Sequence, residues 1–189
     1  MVFVAGFTGL RVSELAGLQW RNVGNGSLSI DQRYARGDWD EPKSHASRAT
    51  IPVDQHVLDR IHRLKTLEVV IQAGWAERRY PAVKSSGPDD LVFQSVKDGS
   101  PMRDNNVLSK HIKPAARALG LGWENWQVLR RSCATWLQQA GVDVKDAQGL
   151  LRHSRANTTQ DIYQQIVAES QHRAVRKLTT FVQQGRSVQ

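Results

Sequence analysis

Between Arg130 and Tyr163 the chain carries arginine, histidine and tyrosine in an order suited to work on a phosphate ester. The stretch opens with Leu129-Arg130-Arg131-Ser132-Cys133-Ala134-Thr135-Trp136-Leu137, passes Leu150-Leu151-Arg152-His153-Ser154 and reaches Asp161-Ile162-Tyr163. Far upstream, Thr8-Gly9-Leu10-Arg11-Val12-Ser13-Glu14-Leu15 supplies a further arginine. A guanidinium is planar, permanently charged and donates paired hydrogen bonds to an anion. A tyrosine can attack phosphorus and hold the product as an ester, while a histidine can grip an oxygen or move a proton. Two arginines, a histidine and a tyrosine are what a phosphodiester-cleaving site needs if it uses a tyrosine nucleophile and no metal.

Such groups meet only if short, turn-linked helices bring them together. The apolar run from Met1 to Leu10 reads as the end of a buried helix, interrupted at Thr8-Gly9, and Ser13 with Glu14 reads as the start of the next, bearing Leu15 and Leu18. Leu28, Ile30, Gln32 and Tyr34 share one face of a strand, and Ala49, Ile51 and Val53 alternate in the same way. The polar stretch from Arg36 to Ser47 between them predicts an extended hairpin with Lys43 near its tip. Asp54 caps a helix expected to run to about Gly74, with Val57, Ile61, Leu64 and Leu67 at helical spacing. A loop from Tyr80 to Pro88 follows. Asn105 opens another helix, with Val107, Leu108, Ile112 and Ala115 on its inner face and a kink or break expected at Pro114. Beyond Gly120 the pattern is helical in short pieces: Leu129 to Ala140, Val144 to Leu151, Thr158 to Val167 and Ser170 to Val182. Gly141 closes the first of these and Asp143 caps the second. The expected fold class is α+β, mainly helical with a small antiparallel sheet on one side.

Composition narrows the partners. At 189 residues, with 40% hydrophobic and 23% charged content, the chain suits one folded domain rather than a disordered segment. A net charge of +8 and a pI near 10.1 point to a polyanion, nucleic acid first; a merely soluble basic protein is the plain alternative. Cys133 is the one cysteine, so no internal disulfide forms and a reducing, cytoplasmic setting fits; its apolar neighbours make it a packing residue. No apolar run approaches the roughly 18 residues of a membrane span, and the N-terminal segment lacks the basic region and cleavage site of a signal peptide.

Five motifs, in order, resemble the tyrosine recombinase (phage integrase) family: Thr8 to Leu15, Leu129 to Leu137, Gly141-Val142-Asp143, Leu150 to Ser154, and Thr158-Thr159-Gln160-Asp161-Ile162-Tyr163. The likeness runs from about Thr8 to Gln165. It implies a mainly helical catalytic domain with a small sheet, acting on double-stranded DNA as a homo-multimer and needing neither metal nor cofactor. Residues 1–182 would form that domain and 183–189 a flexible tail.

The resemblance also implies roles. Tyr163 would attack a DNA phosphate, giving a 3′-phosphotyrosyl link and a free 5′-hydroxyl, and a partner strand's 5′-hydroxyl would reverse the step. A phenol with a pKa of about 10 must be activated or oriented by neighbours. Arg11 and Arg130 would grip the non-bridging oxygens and offset charge growing in the phosphorane. His153 would hydrogen-bond the phosphate. Lys43, in Pro42-Lys43-Ser44-His45-Ala46-Ser47-Arg48, would protonate the departing 5′-oxygen, with His45 and Arg48 nearby as alternatives. Arg48, Arg131 and Arg152 are the expected DNA contacts; Arg131 points about 100° from Arg130 on a helix.

Two positions depart from the family. A His-x-x-Arg pattern is usual, but here the sequence reads Gln127-Val128-Leu129-Arg130. A carboxamide can orient a phosphate but cannot take a proton, so Gln127 leaves the base to His153 or water. Position 152 is commonly glycine and is Arg152 here, adding bulk and charge beside the site. The family's N-terminal core-binding domain has no counterpart in this chain, so weak DNA binding in isolation is expected. Two further readings stand beside the recombinase: nicking and resealing of the type IB topoisomerase kind, and a DNA-binding relic with impaired catalysis.

Overall fold

The computed structural model describes residues 1–40, 49–122, 125–152 and 175–180. The chain opens with helix α1, Val2–Thr8, which ends at Gly9 in the left-handed conformation, φ 62°. Helix α2, Val12–Ala16, begins directly after an extended Arg11, which takes the cap position expected for Ser13. The 3-10 turn Trp20–Asn22 leads into β1, Val23–Gly24, and β2, Ser27–Ile30.

The antiparallel sheet forms as the alternation predicts. Strand β2 pairs with β1 on one side and with β5, Ala49–Pro52, on the other, with Leu28 opposite Ile51 and Ile30 opposite Ala49. The strand expected to continue to Tyr34 instead breaks after Ile30. Gln32 turns its Nε2 to donate to the Gly17 carbonyl at 2.8 Å, and Asp31 Oδ2 accepts from Asn22 Nδ2 at 3.1 Å. Both side chains bond to the preceding segment rather than to a sheet neighbour. A separate hairpin follows, β3, Arg33–Ala35, against β4, Asp38–Asp40. Its turn residues Arg36 and Gly37 both have positive φ, 55° and 96°, as a two-residue turn matched to strand twist requires.

Helix α3, Gln55–His62, is capped by Asp54, whose side chain accepts from the His56 N–H. It does not run to Gly74. One 3-10 turn, Arg63–Lys65, ends it, and β6, Glu68–Ala73, then pairs with β7, Ala76–Pro81, around Gly74 and Trp75. The β-branched run Val69-Val70-Ile71 favours a strand, and Gly74, at φ 64°, makes the turn. The apolar spacing that suggested a longer helix ends in an exposed Leu67.

Pro114 acts as expected, through an unusual turn. Helix α4, Asp104–Val107, passes into a π-helical segment, Leu108–Ile112, before α5, Lys113–Ala118. Proline has no N–H to donate and its ring crowds the preceding turn; a widened turn is one way a continuous helix accommodates this. Helices α6, Gln127–Gln139, and α7, Val144–Leu151, match their predicted limits closely, with Asp143 Oδ1 accepting from Lys145 N–H at 2.7 Å. Residues 175–180 are helical, with Val175 and Leu178 exposed. The segment expected as Thr158 to Val167 lies outside the described residues.

The main core gathers Val4, Leu15, Leu28, Ile51 and Ile61 from the first helices, the sheet and α3, with Phe93 from the loop after β7. A smaller cluster, Cys133, Ala134 and Leu151, seals α6 against α7. Helix α1 lies against α6. That contact places Gly9 and Arg11 beside Arg130. Among the described residues no helix is long and apolar enough to cross a membrane.

Candidate active site

Arg130 sits in the first turns of α6 and is buried. Its Nη1 donates to the Gly9 carbonyl at 2.5 Å. Its Nη2 donates to the carbonyl of Leu151, the last residue of α7. One guanidinium thus bridges the turn after α1 and the end of α7. Gly9 is required there for two reasons. Its φ is positive, and a Cβ at this position would stand 2.5 Å from Leu151 Cδ2 and 3.4 Å from Cys133 Sγ.

Arg11 approaches the same corner from the start of α2. Its backbone N–H donates to Glu14 Oε2 at 2.8 Å and its Nη1 to Glu14 Oε1 at 2.9 Å. The Arg11 side chain stays 41% exposed while that of Glu14 is only 3% exposed. Arg152 comes from the other side, as the left-handed residue that ends α7, φ 52° and ψ 47°. Its Nη2 donates to Glu14 Oε2 at 2.5 Å, with both side chains 3% exposed. One buried carboxylate therefore holds two guanidiniums.

Among the described residues, three positive groups meet one carboxylate here, an excess of positive charge in a partly buried corner. Burial, the largest cause, pushes the Arg130 guanidinium down to about 10; Arg11 and Arg152 push the same way and Glu14 opposes them. Arg130 remains charged at neutral pH. Burial likewise lowers Arg152, with Glu14 opposing. An excess of fixed donors and positive charge, with Arg11 reaching solvent, can receive a phosphate and stabilise added negative charge on it.

Gln127 is the first residue of α6, exposed, three positions before Arg130 and therefore on its side of the helix. Its N–H is capped by Asn125 Oδ1 at 2.9 Å, and neighbouring Trp126 donates Nε1 to the Asp104 carbonyl at 3.1 Å. Arg131 is exposed. The structure thus brings together Arg11, Arg130 and Arg152, with Gln127 at the head of the same helix. Lys43, His45, Arg48, His153 and Tyr163 lie outside the described residues. Arg152, expected as a DNA contact, is instead buried against Glu14. Glu14 itself was legible only as part of a helix start; its place three residues after Arg11, the spacing by which a side chain reaches back to the residue before a helix, is the signal that marks it. Among the described residues no three His, Cys, Asp or Glu side chains form a group able to hold a metal ion.

Comparison with known proteins bears on this geometry. The description "Phage integrase family" matches residues 1–169. A tyrosine recombinase XerD of Neisseria meningitidis is 31% identical over 157 residues, covering 81% of this chain and 45% of that protein. A tyrosine recombinase XerC-like protein of Caldanaerobacter subterraneus is 24% identical, covering 90% of this chain and 46% of the relative. The chain spans about half the length of the curated relatives it matches. Among solved structures, the Tn1549 transposon integrase in complex with transposon right end DNA superposes with a TM-score of 0.67 at 21% identity, over 94% of this chain and 57% of that one. The XerA recombinase superposes with a TM-score of 0.60 at 18% identity, over 94% of this chain and 53% of that one. These superpositions show a shared fold.

Proposed function

Because this chain belongs to the phage integrase family of tyrosine recombinases, we propose that it cleaves and rejoins double-stranded DNA at specific sites through a 3′-phosphotyrosyl intermediate. The observation that carries the reading is the meeting of Arg11 and Arg130, far apart in sequence, at one partly buried corner whose positive groups, among the described residues, outnumber its carboxylate.

In this reading Tyr163 Oη attacks the scissile phosphorus and passes its proton to His153 or to water. The bond to the 5′-oxygen breaks, and Lys43 supplies the proton that makes the departing oxygen a hydroxyl. Arg11 and Arg130 hold the non-bridging oxygens while the phosphorane carries its extra charge, and His153 donates to the same group. A 5′-hydroxyl then attacks the phosphotyrosine, the phenol is regained, and the ester count is unchanged. The broken ester is conserved in the tyrosyl ester, so resealing consumes no nucleotide. Gln127 orients the phosphate without taking a proton. Exposed Arg131, together with Arg48, contacts the DNA backbone. Residues 1–182 form the catalytic unit, which works in the cytoplasm as a homo-multimer on DNA.

Covalent capture tests this. A pool of nicked duplexes with randomised sequence is incubated with the chain, denatured, and the DNA retained on protein is sequenced. Wild type is expected to retain an enriched sequence and Tyr163→Phe none. Equal retention by the Tyr163→Phe variant, or none by wild type, rejects the proposal. Supercoil relaxation without exchanged products would instead favour nicking and resealing alone.

A further inference from the structure

We propose that Arg152 is a positioning residue that acts through Glu14: it supplies the counter-charge that lets Arg11 leave Glu14 for the scissile phosphate. The inference rests on the DNA-cleaving reading above and adds a role at a position where that family commonly has glycine.

The residue is costly to place. Its backbone is left-handed, at φ 52°, a conformation that L side chains other than asparagine and aspartate rarely adopt. Its charged side chain is 3% exposed. Among the described residues its Nε and Nη1 are buried without a hydrogen-bond partner, and the contact of Nη2 with Glu14 Oε2 at 2.5 Å anchors the guanidinium. A side chain held chiefly by one carboxylate acts chiefly through it.

That carboxylate also holds Arg11. Glu14 takes the Arg11 Nη1 at 2.9 Å, and Arg11 is the exposed member of the trio, the one that incoming DNA reaches first. To bind a phosphate with its full fork, Arg11 must loosen this contact. Without Arg152, a Glu14 vacated by Arg11 would be a buried carboxylate with less positive charge around it, which opposes the release. With Arg152 already on Oε2, and the Arg11 backbone N–H on the same oxygen at 2.8 Å, Glu14 stays compensated when Oε1 is vacated. Arg152 thereby weakens the competition between Glu14 and phosphate for Arg11.

Inorganic sulfate, doubly charged and not titrating near neutrality, is the probe. Melting is followed against sulfate at constant ionic strength for wild type, Arg152→Gly, Arg152→Lys, Glu14→Gln and the Glu14→Gln/Arg152→Gly double variant. Glycine suits the left-handed backbone, so Arg152→Gly is expected to fold and to bind sulfate about tenfold more weakly, the size of one charge-assisted contact. Arg152→Lys keeps the counter-charge and stays within about threefold of wild type on the same scale. In the Glu14→Gln background, deleting Arg152 should change sulfate affinity little, because the competitor is gone. Wild-type affinity in Arg152→Gly overturns the proposal, as does a double variant as weak as Arg152→Gly, or no sulfate response in wild type. Should Arg152→Gly not fold, a tenfold loss in Arg152→Lys has the same force. Covalent capture through Tyr163 reads the enzymatic proposal separately: adducts formed by wild type, together with a failed sulfate cycle, remove this inference alone.

Discussion

The Nη1 of Arg130 donates to the carbonyl of Gly9 across 121 residues of sequence, at 2.5 Å. With Leu151 accepting the other terminal nitrogen, the guanidinium is oriented by two backbone carbonyls. A carbonyl satisfies a donor without cancelling its charge, so this geometry fixes Arg130 while preserving its pull on an anion. Glu14 plays the opposite part for Arg11 and Arg152, since it both orients and neutralises. The corner thus contains one arginine oriented by backbone carbonyls and two that share a carboxylate, an arrangement that suits the proposed grip on a phosphate and its later release.

Gly9→Ala should disturb this corner severely. The new Cβ would meet Leu151 Cδ2 at 2.5 Å on a backbone with φ 62°. Left-handed strain and overpacking together predict a loss of about 2–4 kcal/mol in folding stability. Urea unfolding gives the value, and a loss below about 0.5 kcal/mol, the level of a neutral surface change, would show that the corner yields freely.

Removing the shared carboxylate has a distinct signature. Glu14→Gln leaves the buried Arg152 without a counter-ion, and breaking such a pair by one partner costs about 3 kcal/mol. Adding Arg152→Gly removes the stranded charge, so the double variant should be more stable than Glu14→Gln alone. A double-mutant cycle by urea unfolding checks this, and simple additivity of the two changes would contradict the pairing.

Cys133 should respond to pH in one direction only. Burial raises its thiol above the ordinary value of 9.0, although Arg130 acts the other way. Below that value both folded and unfolded thiols are neutral, and the contribution to stability is fully present. As pH rises further the unfolded chain ionises first, the native state keeps more protons, and stability falls. Comparing urea midpoints of wild type and Cys133→Ala between about pH 8 and pH 10 isolates this contribution. Wild type should lose stability relative to the variant; parallel curves would refute the assignment.

Much of this was readable in the residues, for reasons that can be named. The limits of α6 and α7, the antiparallel pairing of the strands that hold Leu28 and Ile51, and the break near Pro114 follow from local rules: helical spacing, alternation and a missing N–H. That Arg11 and Arg130 belong to one site was expected from the family motifs that hold them, and the fold brings both to one corner. The hairpin Glu68–Pro81 was missed because apolar spacing up to Leu67 outweighed the β-branched run that follows it. The burial of Arg152 could not be foreseen, since its partner Glu14 lies 138 residues away and only the fold brings them together.

Arg131 offers a contrast with its neighbour. It is exposed on α6 where Arg130 is buried, and the proposed contact with DNA is to the backbone and blind to sequence. Arg131→Ala should lower affinity equally for all duplexes and reduce the slope of log affinity against log salt by about 0.9, one phosphate's worth. Titrations at several salt concentrations measure it, and an effect confined to one DNA sequence would mean that Arg131 reads bases.

Gln127 gives the sharpest test of the chemistry. It begins α6 on the side of Arg130, exposed, and its backbone is held by Asn125 rather than by its own side chain. Histidine can therefore replace it without disturbing the helix start. A carboxamide cannot accept the phenol proton, whereas an imidazole can, and general base catalysis contributes about 10²- to 10⁴-fold. Gln127→His should raise the single-turnover rate of adduct formation by at least about tenfold, less than that full range because the base is grafted onto an existing site. It should also introduce a fall in rate below about pH 6.5 as the imidazole becomes protonated. The wild-type profile has no such limb from this position. If rate and pH profile both stay as in wild type, the residue three before Arg130 takes no part in the proton's path, and the activation of Tyr163 belongs wholly to other groups.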